Sequence, residues 1–257
     1  MDPIYLSVFL SAIVTVTQGR VLKAIKWGYG DFNGPEQWPE LFPDKCAGTF
    51  QSPVDIRPLE TFYNRYLTPF NIYEPPPPHA KYTIQNNGKS IQVDTQGIFL
   101  LDNGGLRHTY KIEQFHFHWG DSAGQGAEHT IYETAESMEM HIVSWNVEKY
   151  KSYVEASQSP DGLVVLGILF NVSFFDNPVM EGIVQAIPRI RDPDLKNKVD
   201  IQYIPLVEFL PNSPEKYFRY RGSLTTPNCY ESVIWTVFKE RQYISERQVN
   251  TNTFFLI

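Results

Sequence analysis

Six short apolar or alternating runs recur along this 257-residue chain: KYTIQ at 81–85, SIQVD at 90–94, EQFHFHW at 113–119, MEMHIVSW at 138–145, GLVVLGILF at 162–170 and SVIWTVF at 232–238. Polar or Gly-, Pro- and Asn-containing segments separate them, the punctuation expected between strands. Side chains alternate between the two faces of a strand, so runs of this length and period read as β-structure. NPVMEGIVQAIPRI differs: it places Met180, Ile183, Val184 and Ile187 at helical spacing. EPPPPH at 74–79 reads as a rigid polyproline segment, too short to divide domains. No repeat, long charge run or linker interrupts the chain. The expectation is one mainly β (α+β) domain with a few short helices, and 42% hydrophobic residues suffice for one large core.

The 22 Lys and Arg against 29 Asp and Glu give a net charge of −7, with no basic block or stripe. That argues against a nucleic-acid partner and fits a small-molecule or protein ligand. An apolar stretch from Ile4 to Val16 is too short for a membrane span of about twenty residues. It reads as the apolar region of a secretory signal peptide covering residues 1–19, with Thr17 and Gly19 near the cleavage point and a domain from 20 to 257. Asp2 and the lack of Lys or Arg before Arg20 make a poor leader start, and a buried N-terminal strand is the competing reading. Cys46 and Cys229 are the only cysteines. They are two free thiols in a cytosolic protein and a candidate pair in a secreted one. NVS at Asn171 is a glycosylation sequon, usable only in a secreted protein and only if exposed; it follows an apolar run, so burial is its rival.

In EQFHFHW, His116 and His118 share one strand face, while Phe115, Phe117 and Trp119 share the other. Two imidazoles aimed the same way point to a metal, because imidazole is the commonest metal ligand; a solvated or hydrogen-bonded pair is the alternative. MEMHIVSWN supplies a third candidate, His141, with Glu139 on its face. If the two strands pair, three neutral imidazoles leave a fourth tetrahedral position open, the arrangement of a catalytic zinc site. Gln114 and Glu139 each precede a histidine by two residues on its own face, well placed to accept from the ring nitrogen the metal does not use.

QFHFHWG, AEHT, MEMHIVSWN and GSLTTPNC together resemble the α-class carbonic anhydrases, as do WGYG at 27–30, QSPVDI at 51–56 and NNGK at 86–89. The resemblance runs in order from about Trp27 to Gln248. It implies a large, mostly antiparallel twisted sheet with zinc at the base of a conical cleft, held by His116, His118 and His141. The implied reaction is hydration of CO2 to bicarbonate by zinc-activated water. Thr225 matches the threonine that orients the nucleophile, Glu128 the carboxylate that takes the threonine's proton, and Thr226 a bicarbonate-holding residue. Val143, Val165, Leu224, Val233 and Trp235 match the apolar wall for CO2. Tyr29, Asn87 and Gln92 match the polar side that organises water. His129 matches a buried structural histidine. CAGTFQSP with TTPNC resembles the secreted members, in which those two cysteines form a disulfide. A non-catalytic binding module on the same fold is the rival function, although members that lost catalysis often lack a zinc histidine.

Two departures stand out. Lys89 occupies the position where fast members carry a proton-ferrying histidine. The family also continues with a further C-terminal segment, one carbonyl of which orients the ligand matching His118. QVNTNTFFLI at 248–257 does not resemble it, which leads us to expect an atypical or truncated terminus.

Overall fold

In a computed structural model, which describes residues 27–120 and 124–250, all six runs are strands. The leader reading at 1–19 and residues 251–257 lie outside the described residues. The strands are β1 (Asp55–Ile56), β2 (Phe70–Tyr73), β3 (Lys81–Asn86), β4 (Ile91–Gln96), β5 (Leu100–Asn103), β6 (Tyr110–Trp119), β7 (Thr130–Ile131), β8 (Thr134–Ala135), β9 (Met138–Asn146), β10 (Leu163–Ser173), β11 (Lys198–Ile201), β12 (Tyr217–Gly222), β13 (Val233–Phe238) and β14 (Gln242–Ser245). Eleven form one sheet whose main path is β11-β3-β4-β6-β9-β10-β13-β12; β14 adds to β10, and β2 joins through β5 to β6. The pairings are antiparallel except those of β10 with β13 and β14. The expected mostly antiparallel sheet is therefore observed, with a parallel component at β10. β1, β7 and β8 make a separate small sheet that anchors the segment after His129.

One face of the large sheet carries the main core, including Phe115, Phe117, Met138, Met140, Ile142 and Leu166. The helix Glu181–Ala186, in the stretch whose spacing predicts one, packs Ile183 and Val184 into it. Burying a side chain such as Phe115 or Phe117 stabilises by roughly 1.5–3 kcal/mol. A one-residue slip of β6 would exchange these phenylalanines for the histidines. Core burial thus fixes which way the imidazoles point.

The register of β6 against β9 shifts between Ile112 and Gln114. This bulge turns Ile112 into the core while Gln114, His116 and His118 keep the opposite face. Strict alternation would have put Ile112 on the histidine face. The EPPPPH segment corrects the polyproline reading. The amide of His79 donates to the Pro76 carbonyl at 2.9 Å, so the chain turns there. A polyproline helix has no such internal bond. Cys46 and Cys229 form a disulfide between residues 183 apart in sequence. Among the described residues no helix is long and apolar enough to cross a membrane.

Candidate metal centre

β6 and β9 pair so that His116 lies opposite His141 and His118 opposite Glu139. One ligand atom from each of the three histidines lies within 4.8 Å of the others. Their other nitrogens are engaged. His116 Nδ1 donates to Gln114 Oε1 at 2.9 Å, and His141 Nε2 donates to Glu139 Oε1 at 2.7 Å. His118 Nε2 is buried with no hydrogen-bond partner. The free nitrogens are therefore His116 Nε2, His118 Nε2 and His141 Nδ1. Burial, aided by His141, pushes His116 down to about 3. Burial also lowers His118 strongly, and it lowers His141 despite the opposing Glu139 charge. All three are neutral near pH 7, the lone-pair-bearing form a metal requires. An orphaned buried nitrogen among three convergent neutral imidazoles fits a metal ion.

A second potential group, His129, Glu139 and His141, shares His141 with the first. Both ring nitrogens of His129 are already engaged: Nδ1 lies 2.7 Å from Glu139 Oε1 and Nε2 lies 2.6 Å from the Tyr220 hydroxyl. His129 is thus a buried ring held between Glu139 and Tyr220. Glu139 also accepts from the amides of Glu128 and His129, at 2.9 and 2.8 Å. Burial alone would raise this carboxyl, but His129 and His141 hold it well below the usual range.

A cavity of about 230 Å3 opens onto the three histidines. Val143, Val165, Leu224 and Trp235 form its apolar side, and Tyr29, Asn87 and Gln92 its polar side. Val233 packs in the same apolar cluster but does not reach the cavity lining. Thr225 and Thr226 complete the floor. Their loop is tied by the Leu224 amide to the Tyr230 carbonyl, the Cys229 amide to the Thr226 carbonyl and Trp235 Nε1 to the Ser223 carbonyl. Burial and then the Glu139 charge push the Glu128 carboxyl well above the usual range, against a lowering contribution from the Thr225 side chain. A dication at the three nitrogens acts in the opposite sense and favours the carboxylate. A larger cavity, about 630 Å3, reaches His118, Glu128 and Thr225 from the side of Trp38 and Gln51.

Lys89 lies on the turn after β3, where Gly88 takes φ +76°. The Asn87 side chain accepts from the amides of Lys89 and Ser90. Lys89 Nζ donates to the Trp27 carbonyl at 2.6 Å and sits 4.5 Å from the centre of the Trp27 ring. Asn171 is exposed at the end of β10, paired with Tyr243, so the burial alternative does not hold there.

The family described as eukaryotic-type carbonic anhydrase matches residues 33–255. The chain belongs to this family. It is 36% identical over 226 residues to carbonic anhydrase 7 of Mus musculus, covering 87% of this chain and 83% of that protein. It is 37% identical over 231 residues to carbonic anhydrase 1 of Mus musculus, covering 87% of this chain and 84% of that one. The protein is an enzyme of the carbonic anhydrase type, and its histidine trio gives that activity a place in the fold. Strand alternation pointed to the three histidines of this carbonic anhydrase and the resemblance to the other cleft residues, but neither anticipated two contacts. The approach of Glu128 to His118, Oε1 to Nδ1 at 3.1 Å, carries no local sequence signal. The Lys89–Trp27 contact joins residues 62 apart and has none either.

Proposed function

We propose that this carbonic anhydrase hydrates CO2 reversibly to bicarbonate and a proton, using zinc held by His116, His118 and His141. The observation that carries the reading is the convergence of three neutral imidazole nitrogens, those of His118 and His141 on buried side chains, beside a cavity with an apolar side. Zinc at such a site lowers the pKa of water to about 7, a value established for carbonic anhydrases as a class, and so supplies a nucleophile at neutral pH. The chain's own residues do the rest. With a cation at the three nitrogens Glu128 is a carboxylate and can only accept, so the Thr225 hydroxyl donates its hydrogen bond to Glu128 and turns its oxygen lone pairs towards the cavity. That fixes the direction from which the nucleophile presents its lone pair. Val143, Val165, Leu224 and Trp235 offer CO2 an unhydrated wall, and Thr226 receives the polar product. Stopped-flow CO2 hydration, run alongside metal analysis and with a sulfonamide, tests the reading. One zinc per chain and sulfonamide-sensitive turnover are expected; bound zinc without turnover would leave the binding-module reading standing.

We place the protein in the secretory route. A bridge between Cys46 and Cys229 belongs to an oxidising compartment, and Asn171 is accessible to a glycan.

Lys89 sets an expected rate limit. A relay group works best with a pKa near the working pH. Histidine titrates near 6.5 and lysine, as a residue type, near 10.4. The Lys89 ammonium is also held against Trp27. Export of the proton, rather than attack on CO2, is therefore expected to limit turnover at saturating substrate. Lys89→His should raise kcat and leave kcat/KM nearly unchanged, because the relay acts after bicarbonate leaves. Imidazole buffer should do the same for the unmodified enzyme. If neither alters kcat in stopped-flow assays, proton export is not limiting.

A further inference from the structure

At the end of β10 a sequon asparagine and an aromatic ring stand side by side. Phe170 of β10 and Ile244 of β14 are buried in the main core, so their strand neighbours Asn171 and Tyr243 point to the opposite face of the sheet. The register pairs Asn171 with Tyr243 directly. Adjacent strands lie about 4.8 Å apart, so the two side chains leave the sheet as immediate neighbours. Both reach solvent: Asn171 is exposed, and Tyr243 is 41% exposed. Phe174 is also fully exposed, but it lies beyond the end of β10 and has no strand partner.

We propose that Asn171 carries an N-linked glycan whose innermost N-acetylglucosamine lies against the Tyr243 ring. The inference rests on the secretory reading made above, because there the chain meets the donor, a polyprenyl-pyrophosphate oligosaccharide. In the transfer the bond from Asn171 Nδ2 to the sugar C1 forms, the bond from C1 to the pyrophosphate oxygen breaks, and one Nδ2 proton is lost. Ser173 supplies the hydroxyl residue of the acceptor motif. A pyranose has a face lined by C–H groups, and an aromatic ring offers such hydrogens its electron-rich face. Contact removes apolar surface of both from water. Tyr243 thus positions the first sugar, and the sugar in turn ties β10 to β14.

The test uses the full chain secreted from eukaryotic cells that make high-mannose glycans. Intact mass before and after peptide N-glycosidase gives the occupancy of Asn171, with Asn171→Gln as the blank. Endoglycosidase H then trims the glycan to its innermost sugar. Melting temperatures of trimmed protein are compared with those of Asn171→Gln in wild-type, Tyr243→Ala, Tyr243→Phe and Phe174→Ala backgrounds, as double-mutant cycles. The sugar should raise Tm by roughly 2–4 °C in the wild-type, Tyr243→Phe and Phe174→Ala backgrounds, and by less than about 1 °C in Tyr243→Ala. NMR of trimmed wild type should show sugar protons shifted upfield by the Tyr243 ring, a reading that needs no variant. An equal gain in Tyr243→Ala, or unshifted sugar protons, overturns the platform. Secreted chain with a bare Asn171 overturns the modification and leaves the secretory reading intact. Chain retained in the cytosol with reduced cysteines overturns that reading, and this inference with it.

Discussion

Replacing His118 with alanine is expected to abolish stoichiometric zinc and, with it, CO2 hydration. The substitution removes one of the three nitrogens that, among the described residues, converge on the centre. No neighbour replaces it. His129 is buried with both ring nitrogens engaged, and Glu139 is already shared by His129, His141 and two backbone amides. Loss of a single outer partner typically costs about 10–100-fold in metal affinity, and loss of a ligand should cost more. The sheet itself should survive, because Phe115 and Phe117 on the opposite face hold the register of β6. The measurement is metal content after dialysis, together with the far-ultraviolet circular dichroism spectrum. Unchanged zinc content in a folded His118→Ala protein would refute the ligand assignment.

The second large effect concerns the disulfide. Cys46 and Cys229 close a loop between residues 183 apart. On the chain-entropy view a loop of that size stabilises by roughly 4–5 kcal/mol. For a domain of 150–250 residues each kcal/mol shifts Tm by about 2–4 °C, so the double Cys46→Ser, Cys229→Ser variant should melt roughly 8–20 °C lower. The effect should also reach the cleft, since the Cys229 amide is bonded to the Thr226 carbonyl at 2.7 Å. Calorimetry of the two proteins decides it. A shift of less than about 2 °C would mean that the unfolded chain gains little from release of the loop, against the chain-entropy account.

What the sequence disclosed follows from how local each signal is. The histidine faces of β6 and β9 were legible because alternation is a property of the strand itself. That His116 and His141 meet depended on pairing, which the sequence stated only as a condition; the register supplies it. The bulge before Gln114 was invisible, because one extra residue leaves no compositional mark while reversing every face upstream of it. Short edge strands such as β2, β11 and β14 were missed for a related reason. They span four residues each and are specified by their partners rather than by their own periodicity. Thr225 and Glu128 look like ordinary loop residues when read alone. The resemblance, not residue chemistry, singled them out, and even it did not anticipate that Glu128 approaches His118.

The three histidines stand on β6 and β9, adjacent strands with sheet on both sides of the pair, and β9 is buried along almost its whole length. Local opening events in a protein fray edges and loops first, and interior strands open only with the whole domain. The amide protons of His116 and His141 should therefore be among the slowest in the molecule to exchange with deuterium. Opening of the β6–β9 ladder should require the global free energy of unfolding. The ligand scaffold is thereby decoupled from the loops around the cleft: local opening there leaves the spacing of the imidazoles fixed.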